Sequence, residues 1–305
     1  MKPKTWIVTG ANRGLGCSIA KYLAALPDAR VILAVRDCKA GRQTARRIGP
    51  NVAVRELDLK SKDSIERFIE SDDAPVAGLV NNAGIQIGDR TRWTDDGLEE
   101  TFAVNHLHAL KLTLGLLPRL DGGRVMFIGS GTHNPKHPTA RPFGFRGERF
   151  ESIAQCANGI EDGRNHGRLG KDRYATSKFL NMVSTVELAR RIPSDRTCFL
   201  CLDPGLMPGT ALARSAPAPL RFGWHYVLPL ITRLLPDAST PDRSGRAAAR
   251  LLGADSSVVV SGAIYSYDLA RSRRVIERVL DPEIGRQVID DSLELLGLDR
   301  ISQRV

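Results

Sequence analysis

The feature that most constrains this chain lies within its first sixteen residues. An apolar strand-like run, Thr5-Trp6-Ile7-Val8-Thr9, breaks into Gly10-Ala11-Asn12-Arg13-Gly14-Leu15-Gly16. A helical pattern with apolar Ile19, Ala20, Leu23 and Leu26 follows. Glycine tolerates positive φ and lets backbone come close to a ligand. A strand that turns through such glycines into a helix offers that helix's unpaired N–H groups and positive dipole end to an anion. Such glycines also suit a merely tight turn. Between a strand and a helix they point to a pyrophosphate cradle built from Gly10, Asn12, Arg13, Gly14, Leu15 and Gly16.

The same alternation continues. Strand-like Val31–Val35, a helix over 39–48, a strand over 52–57, a helix over 62–70 and strand Gly78-Leu79-Val80 lead to Asn81-Asn82-Ala83-Gly84. Largely apolar strands separated by amphipathic helices predict an α/β fold, a three-layer doubly wound parallel sheet of the Rossmann type. No linker, repeat or low-complexity tract divides residues 1–305, which predicts a single domain. Ligands bind at strand C-terminal ends in such sheets, where Gly10, Arg36, Asp58 and Asn81 fall. Asp58-Leu59 is placed to meet an adenine edge. An acidic residue after the second strand would hold a ribose 2′-hydroxyl, but Arg36 stands there. With Arg13 it suits a 2′-phosphate, so the expected cofactor is NADP(H), provided that Asp37 points away.

Trp93–Leu120 reads as one long helical stretch carrying Asn105, a polar residue in an apolar seam that needs partners. His106 and His108, two apart, do not share a helix face and make poor joint metal ligands. Strand Arg124–Ile128 delivers Gly129-Ser130 at its end. Tyr174-Ala175-Thr176-Ser177-Lys178 opens an amphipathic helical pattern with Leu180, Val183, Val186 and Leu188. Tyr174 and Lys178, at i and i+4, project from one face. An ammonium near a phenol lowers its pKa from about 10, which predicts a tyrosine able to exchange a proton near neutrality.

Composition narrows the classes. No run reaches the roughly 18 apolar residues of a membrane span, and the chain enters its first strand at once, leaving no room for a signal peptide. Five cysteines show no disulfide-scaffold spacing, and Cys198-x-x-Cys201 lies in an apolar run without a second ligand pair. A reduced, cytoplasmic protein is expected. The net charge of +10 admits anionic partners, but the basic residues are dispersed, so a nucleic-acid surface is not expected. The pattern selects no oligomeric state.

Taken together, Thr9-Gly10-x-x-x-Gly14-x-Gly16, Asn81-Asn82-Ala83-Gly84, Asn105, Ser130, Tyr174-x-x-x-Lys178 and Pro204-Gly205 resemble the short-chain dehydrogenase/reductase family over residues 5–205. Ala34-Val35-Arg36-Asp37, Val104-Asn105-His106-Leu107, Ser177–Met182 and the C-terminal Ser261–Ser266 and Leu295–Leu298 are similar to its retinol dehydrogenase and light-dependent protochlorophyllide oxidoreductase branch. The resemblance implies Tyr174 as general acid/base, Ser130 orienting the reacting oxygen, Lys178 on the nicotinamide ribose and Asn105 holding a relay water. It also implies Asn82, Ala83, Gly84, Pro204, Gly205 and Thr210 as cofactor contacts, the last three from a loop beneath the nicotinamide carboxamide.

Two segments depart from a compact member. Gly131–Asp172, rich in Gly, Pro, His and Arg, predicts a substrate-covering flap. Its His133 and His137 read as solvent-exposed or substrate-contacting, and no metal site is expected. Residues 206–240 predict a substrate lid, because Leu220, Phe222, Trp224, Tyr226 and their neighbours make 219–235 apolar. Attachment to a membrane surface competes with that reading and is not favoured; an ordinary core helix is the other alternative. The expectation is an NADP(H)-dependent oxidoreductase acting on the ketone or aldehyde of a bulky apolar small molecule. The alternatives are carbon–carbon double-bond reduction of a tetrapyrrole, as in the protochlorophyllide branch, and a non-catalytic NADP(H)-sensing scaffold.

Overall fold

Alternate side chains of the strands feed two separate cores. On β1 (Lys4–Thr9), Ile7 enters one core while Trp6 and Val8 enter the other. The same parity holds on β5 (Gly123–Ile128), where Val125 and Phe127 face one side and Met126 and Ile128 the other. Both faces being apolar, the strands must be covered on both sides. The computed structural model describes residues 4–88, 90–160, 165–207, 237–255 and 257–298.

The remaining strands are β2 (Ala29–Val35), β3 (Val52–Glu56), β4 (Gly78–Asn81), β6 (Thr197–Asp203) and β7 (Ile264–Ser266). They form one seven-stranded sheet in the order β3-β2-β1-β4-β5-β6-β7, with every pairing parallel. The chain turns outward from β1 to β3 and then returns to β4 on the other side of β1. This reversal opens a crevice at the C-terminal ends of β1 and β4.

Helices α1 (Gly14–Ala24), α2 (Cys38–Ile48) and α8 (Pro241–Gly253) cover one face. The other face carries α3 (Lys62–Glu70), α5 (His108–Leu116), α7 (His166–Arg191) and α9 (Pro282–Leu296). Short α4 (Glu100–Phe102) runs through a π turn, Ala103–Leu107, into α5, and α6 (Ile153–Ala157) lies in the insertion before α7. No helix among the described residues is long and apolar enough to cross a membrane.

Three expectations need correction. The helical stretch expected from Trp93 starts only at Glu100, because Trp93 bridges Glu99 in an antiparallel turn and the Glu99 carboxylate accepts the N–H of Phe102 as the cap. The flap expected over 131–172 ends earlier: Asn165 caps α7, so residues 166–172 are already helix. The amphipathic reading of α7 also fails. From Tyr174 to Leu188 every residue is buried, with β5 and β6 on one side and α9 on the other. Its polar residues are enclosed rather than solvated. The lid segment 208–236 lies outside the described residues.

A charged residue ties the two ends of this architecture together. Arg124, buried on β5, donates to the carbonyls of Leu251 (2.7 Å), Leu252 (2.9 Å) and Ala254 (2.7 Å) at the end of α8. These oxygens have no helical partners of their own. Arg124→Leu therefore leaves buried carbonyls unsatisfied and is expected to cost about 2–4 kcal/mol. Urea unfolding should show a lower midpoint at an unchanged slope; an unshifted midpoint would mean the carbonyls find other donors.

Candidate active site

The ends of β1, β2, β4, β5 and β6 open onto one cleft of about 1090 Å³. Its lining begins at Gly10, Asn12, Arg13, Gly14 and Leu15, passes Arg36, Asp37, Asp58 and Leu59, and reaches Asn82, Ala83 and Gly84. It continues to Ser130, Tyr174, Lys178, Pro204 and Gly205. Gly16 and Asn105 stand behind the lining, and Thr210 is outside the described residues.

The glycine turn is shaped by close approach. Gly10 (φ +64°) passes so near the next strand's loop that a Cβ there would lie 3.0 Å from Ala83 Cα. A Cβ on Gly16 would lie 2.4 Å from the Asn82 amide nitrogen, which donates to the Thr9 carbonyl at 2.8 Å. Thr9 Oγ1 also accepts from the N–H groups of Asn82 (3.0 Å) and Ala83 (2.9 Å), so one hydroxyl locks the two loops together. That Thr9 contact could not be read from spacing alone.

The start of α1 differs from its neighbours. Asp37 caps α2 by accepting from Ala40 (2.9 Å), and Ser61 caps α3 by accepting from Ser64 (3.2 Å). At α1 the cap position is Arg13, which makes no side-chain cap bond, and the first turn carries no acid. The free N–H groups and dipole end therefore face the cleft uncompensated, beside the exposed Arg13 and Arg36. Such donors fit a pyrophosphate with a further phosphate nearby. The Asp37 carboxylate accepts from Ala40 in the first turn of α2, while the residue still lines the cleft beside Arg36.

At the other end of the cleft, α7 presents Tyr174 and Lys178. Lys178 Nζ donates to the carbonyl of Ile128 at 3.0 Å, and the Asn181 amide donates to the same oxygen at 3.2 Å. Asn105, inside the π turn, accepts from Ile85 N–H at 2.7 Å and donates to the Ile85 carbonyl (2.9 Å) and Ser177 Oγ (2.9 Å). It braces the loop after β4 against α7. A Cβ on Gly84 would sit 3.3 Å from Asn105 Oδ1 and 3.5 Å from Lys178 Nζ. The missing side chain leaves a polar gap between them.

Ser130 Oγ accepts from the Thr132 hydroxyl at 3.1 Å. Of the two readings given for His133 and His137, solvent-exposed or substrate-contacting, the first fails, for they are only 1% and 7% exposed. His133 Nδ1 donates to the Ser130 carbonyl at 2.7 Å while its Nε2 accepts from Ile276 N–H at 3.4 Å, so it anchors the turn after Ser130 to the C-terminal segment. Burial pulls both rings below their ordinary pKa. His137 lines the cleft, as do Thr139, Ala140, Phe143, Phe145 and Lys171, all from the insertion or the start of α7. Phe145 packs beside the Tyr174 ring, centroids 6.1 Å apart. Among the described residues no three His, Cys, Asp or Glu side chains converge as a metal site requires, and Cys198 and Cys201 are free and buried.

The electrostatics reverse one further expectation. Burial, with Asp203 adding to it, pushes the Tyr174 phenol above its usual value. Burial also pulls Lys178 down to about 8, opposed by Cys201. The Lys178 ammonium lies 5.6 Å from the Tyr174 ring centroid and gives a proton to Ile128, so its attraction does not offset the loss of hydration. Both groups lean toward their neutral forms: the phenol keeps its proton, and the amine loses its own as pH rises through about 8. Alkaline difference spectra of the protein against Tyr174→Phe should show no phenolate from this residue below about pH 10. A phenolate band near neutrality would restore the original expectation.

With this geometry in view, the relatives can be compared. A profile described as short chain dehydrogenase matches residues 4–142. Protochlorophyllide reductase A of Oryza sativa subsp. japonica is 30% identical over 316 residues, covering 96% of this chain and 80% of that protein. Retinol dehydrogenase 14 of Mus musculus is 26% identical over 325 residues, covering 98% and 87%. The crystal structure of an uncharacterized protein from Mycobacterium Paratuberculosis superposes with a TM-score of 0.72 at 26% identity, covering 98% of this chain and 95% of that one. This chain belongs to the short-chain dehydrogenase/reductase family of oxidoreductases, on the branch that holds retinol dehydrogenases and protochlorophyllide reductases.

Proposed function

We propose that this protein is an NADP(H)-dependent oxidoreductase that interconverts a ketone or aldehyde and its alcohol on a bulky apolar or aromatic molecule. The observation that carries the reading is the pairing of two ends of one cleft. One end offers the uncapped start of α1 with Arg13 and Arg36, and the other offers a buried Tyr174 that keeps its proton. When bound, the cofactor supplies or accepts the hydride.

The chain's own residues do the rest. Gly10 through Gly16 would hold the pyrophosphate, Arg13 and Arg36 the 2′-phosphate, and Asp58 and Leu59 the adenine. Asn82, Ala83, Gly84, Pro204 and Gly205 line the path toward the nicotinamide, with Thr210 assigned there by resemblance. Ser130 orients the substrate oxygen, and Tyr174 gives it a proton as reduction proceeds. The Lys178 ammonium would hold the ribose and stabilise the phenolate as it forms. Asn105 keeps α7 in register, and the space beside Gly84 would take the relay water.

A second reading, reduction of a carbon–carbon double bond in a tetrapyrrole, draws support from the likeness to protochlorophyllide reductases and from the long insertion before α7. A pigment absorption band and turnover only under light would favour it. A cofactor-sensing scaffold is disfavoured because sensing requires no proton donor.

Fluorescence titration should find NADPH bound about ten- to a hundredfold more tightly than NADH, with the advantage lost in Arg36→Ala. Equal affinities would remove the 2′-phosphate assignment. Tyr174→Phe should lower kcat for reduction by about 10²–10⁴ with NADPH binding retained. Unchanged turnover would sink the mechanism. Because loss of the Lys178 charge makes the phenol a poorer acid, kcat/KM for reduction should fall as pH rises through about 8. That limb should be absent in Lys178→Met.

A further inference from the structure

The stripe of α7 that faces the cleft carries three functional groups, two of which the family likeness accounts for. Lys171 is the third. It precedes Tyr174 by three residues and Lys178 by seven, so all three share one helical face. Lys171 lies about 10 Å along the axis from Lys178, on the far side of Tyr174 from the ribose-binding lysine. It lines the cleft and is half-buried, yet no carboxylate pairs with it among the described residues. Of the segments outside the described residues, 208–236 contains no Asp or Glu in its sequence, whereas 161–164, just before α7, holds Glu161 and Asp162.

The surroundings are built to hold it there. Gly144, at φ +80°, has no side chain where a Cβ would lie 2.9 Å from Lys171 Nζ, so the lysine arm passes over bare backbone. Next to it Ala140, Phe143 and Phe145 form an apolar wall against the Tyr174 ring. The titratable groups that share this end of the cleft are His137, Asp203, Tyr174 and Lys178. His137 is drawn toward its neutral form by burial, and Lys178 is engaged with Ile128.

We propose that Lys171 is a specificity residue and that the substrate is an apolar or aromatic carbonyl compound bearing a carboxylate remote from the reacting carbon. This rests on the oxidoreductase reading and names the substrate class of the same cleft. The offset of one helical turn plus the lysine arm places the anion beyond an apolar spacer, not next to the carbonyl as in a 2-oxo acid. One ammonium, in a cleft end that also holds the Asp203 carboxylate, matches a monoanion; a phosphate dianion would call for more cationic donors.

The test is a binding comparison that needs no turnover. Naphthalene-2-carboxylate, its carboxamide and 2-naphthyl phosphate are titrated against the full chain by calorimetry, with NADP⁺ added to fill the phosphate cradle. The carboxylate should bind about tenfold more tightly than the carboxamide. Lys171→Met should bring that ratio to about one, and Lys171→Arg should keep it. A ratio near one in the unmodified protein, a ratio that survives Lys171→Met, or tighter binding of the phosphate would overturn the assignment. Failure of the oxidoreductase reading is distinguishable, since it would appear as no NADP⁺ binding or no hydride transfer while the carboxylate preference is still read on the protein alone.

Discussion

The site depends on one carbonyl. Ile128, the last residue of β5, directs its oxygen at α7, where the Lys178 ammonium and the Asn181 amide both donate to it. This pair of bonds sets the rotation and height of a helix that is buried from Tyr174 to Leu188. Once α7 is so pinned, Tyr174 must face the cleft, Ser177 must meet Asn105, and Lys171 must lie beyond the tyrosine. A parallel sheet makes the arrangement possible because its strands end together, at the edge where the backbone stops pairing and becomes available to ligands.

Enclosure also sets the chemistry. A phenol and an amine removed from water both resist charge, and here their mutual attraction is too weak to reverse that preference. The tyrosine is held in its protonated form, which is what the proposed reduction asks of it. The lysine is held near its titration point, so a modest change in its surroundings alters its charge. The same enclosure makes the polar residues of the helix structural. Asn105, Ser177, Asn181 and Lys178 each spend a donor on protein oxygen, which leaves the reacting groups little freedom to drift.

Much of this was legible in the residues. The strand–glycine–helix opening, the alternation after it and the positions of Arg36, Asn82, Ser130 and Tyr174 all concern local pattern, and local pattern survives folding. What escaped depends on contacts distant in the chain. The π turn around Asn105 adds a residue within one turn, and nothing in Ala103–Leu107 marks that turn by residue type. His133 and His137 lie in a polar loop, which left solvent exposure open, but both are buried, and the C-terminal segment meets this loop at His133 through Ile276 and at Asn134 through Arg274. Phe143 and Phe145 follow no repeat, and only the folded insertion sets them beside Tyr174. The burial of α7 from Tyr174 to Leu188 was hidden for the same reason, since α9, which begins only at Pro282, supplies its outer cover. Lys171 was visible throughout, three residues before the tyrosine, but spacing alone gave no reason to prefer it over other surface lysines.

Single-turnover transfer of deuterium from 4-deuterated NADPH, in the dark and across a panel of aromatic aldehydes, tests the central claim most directly. The account predicts one deuterium on the former carbonyl carbon of the alcohol product, with transfer strongly slowed in Tyr174→Phe. Bound NADPH that delivers no deuterium to any carbonyl in the dark, but reduces a carbon–carbon double bond on illumination, would contradict it.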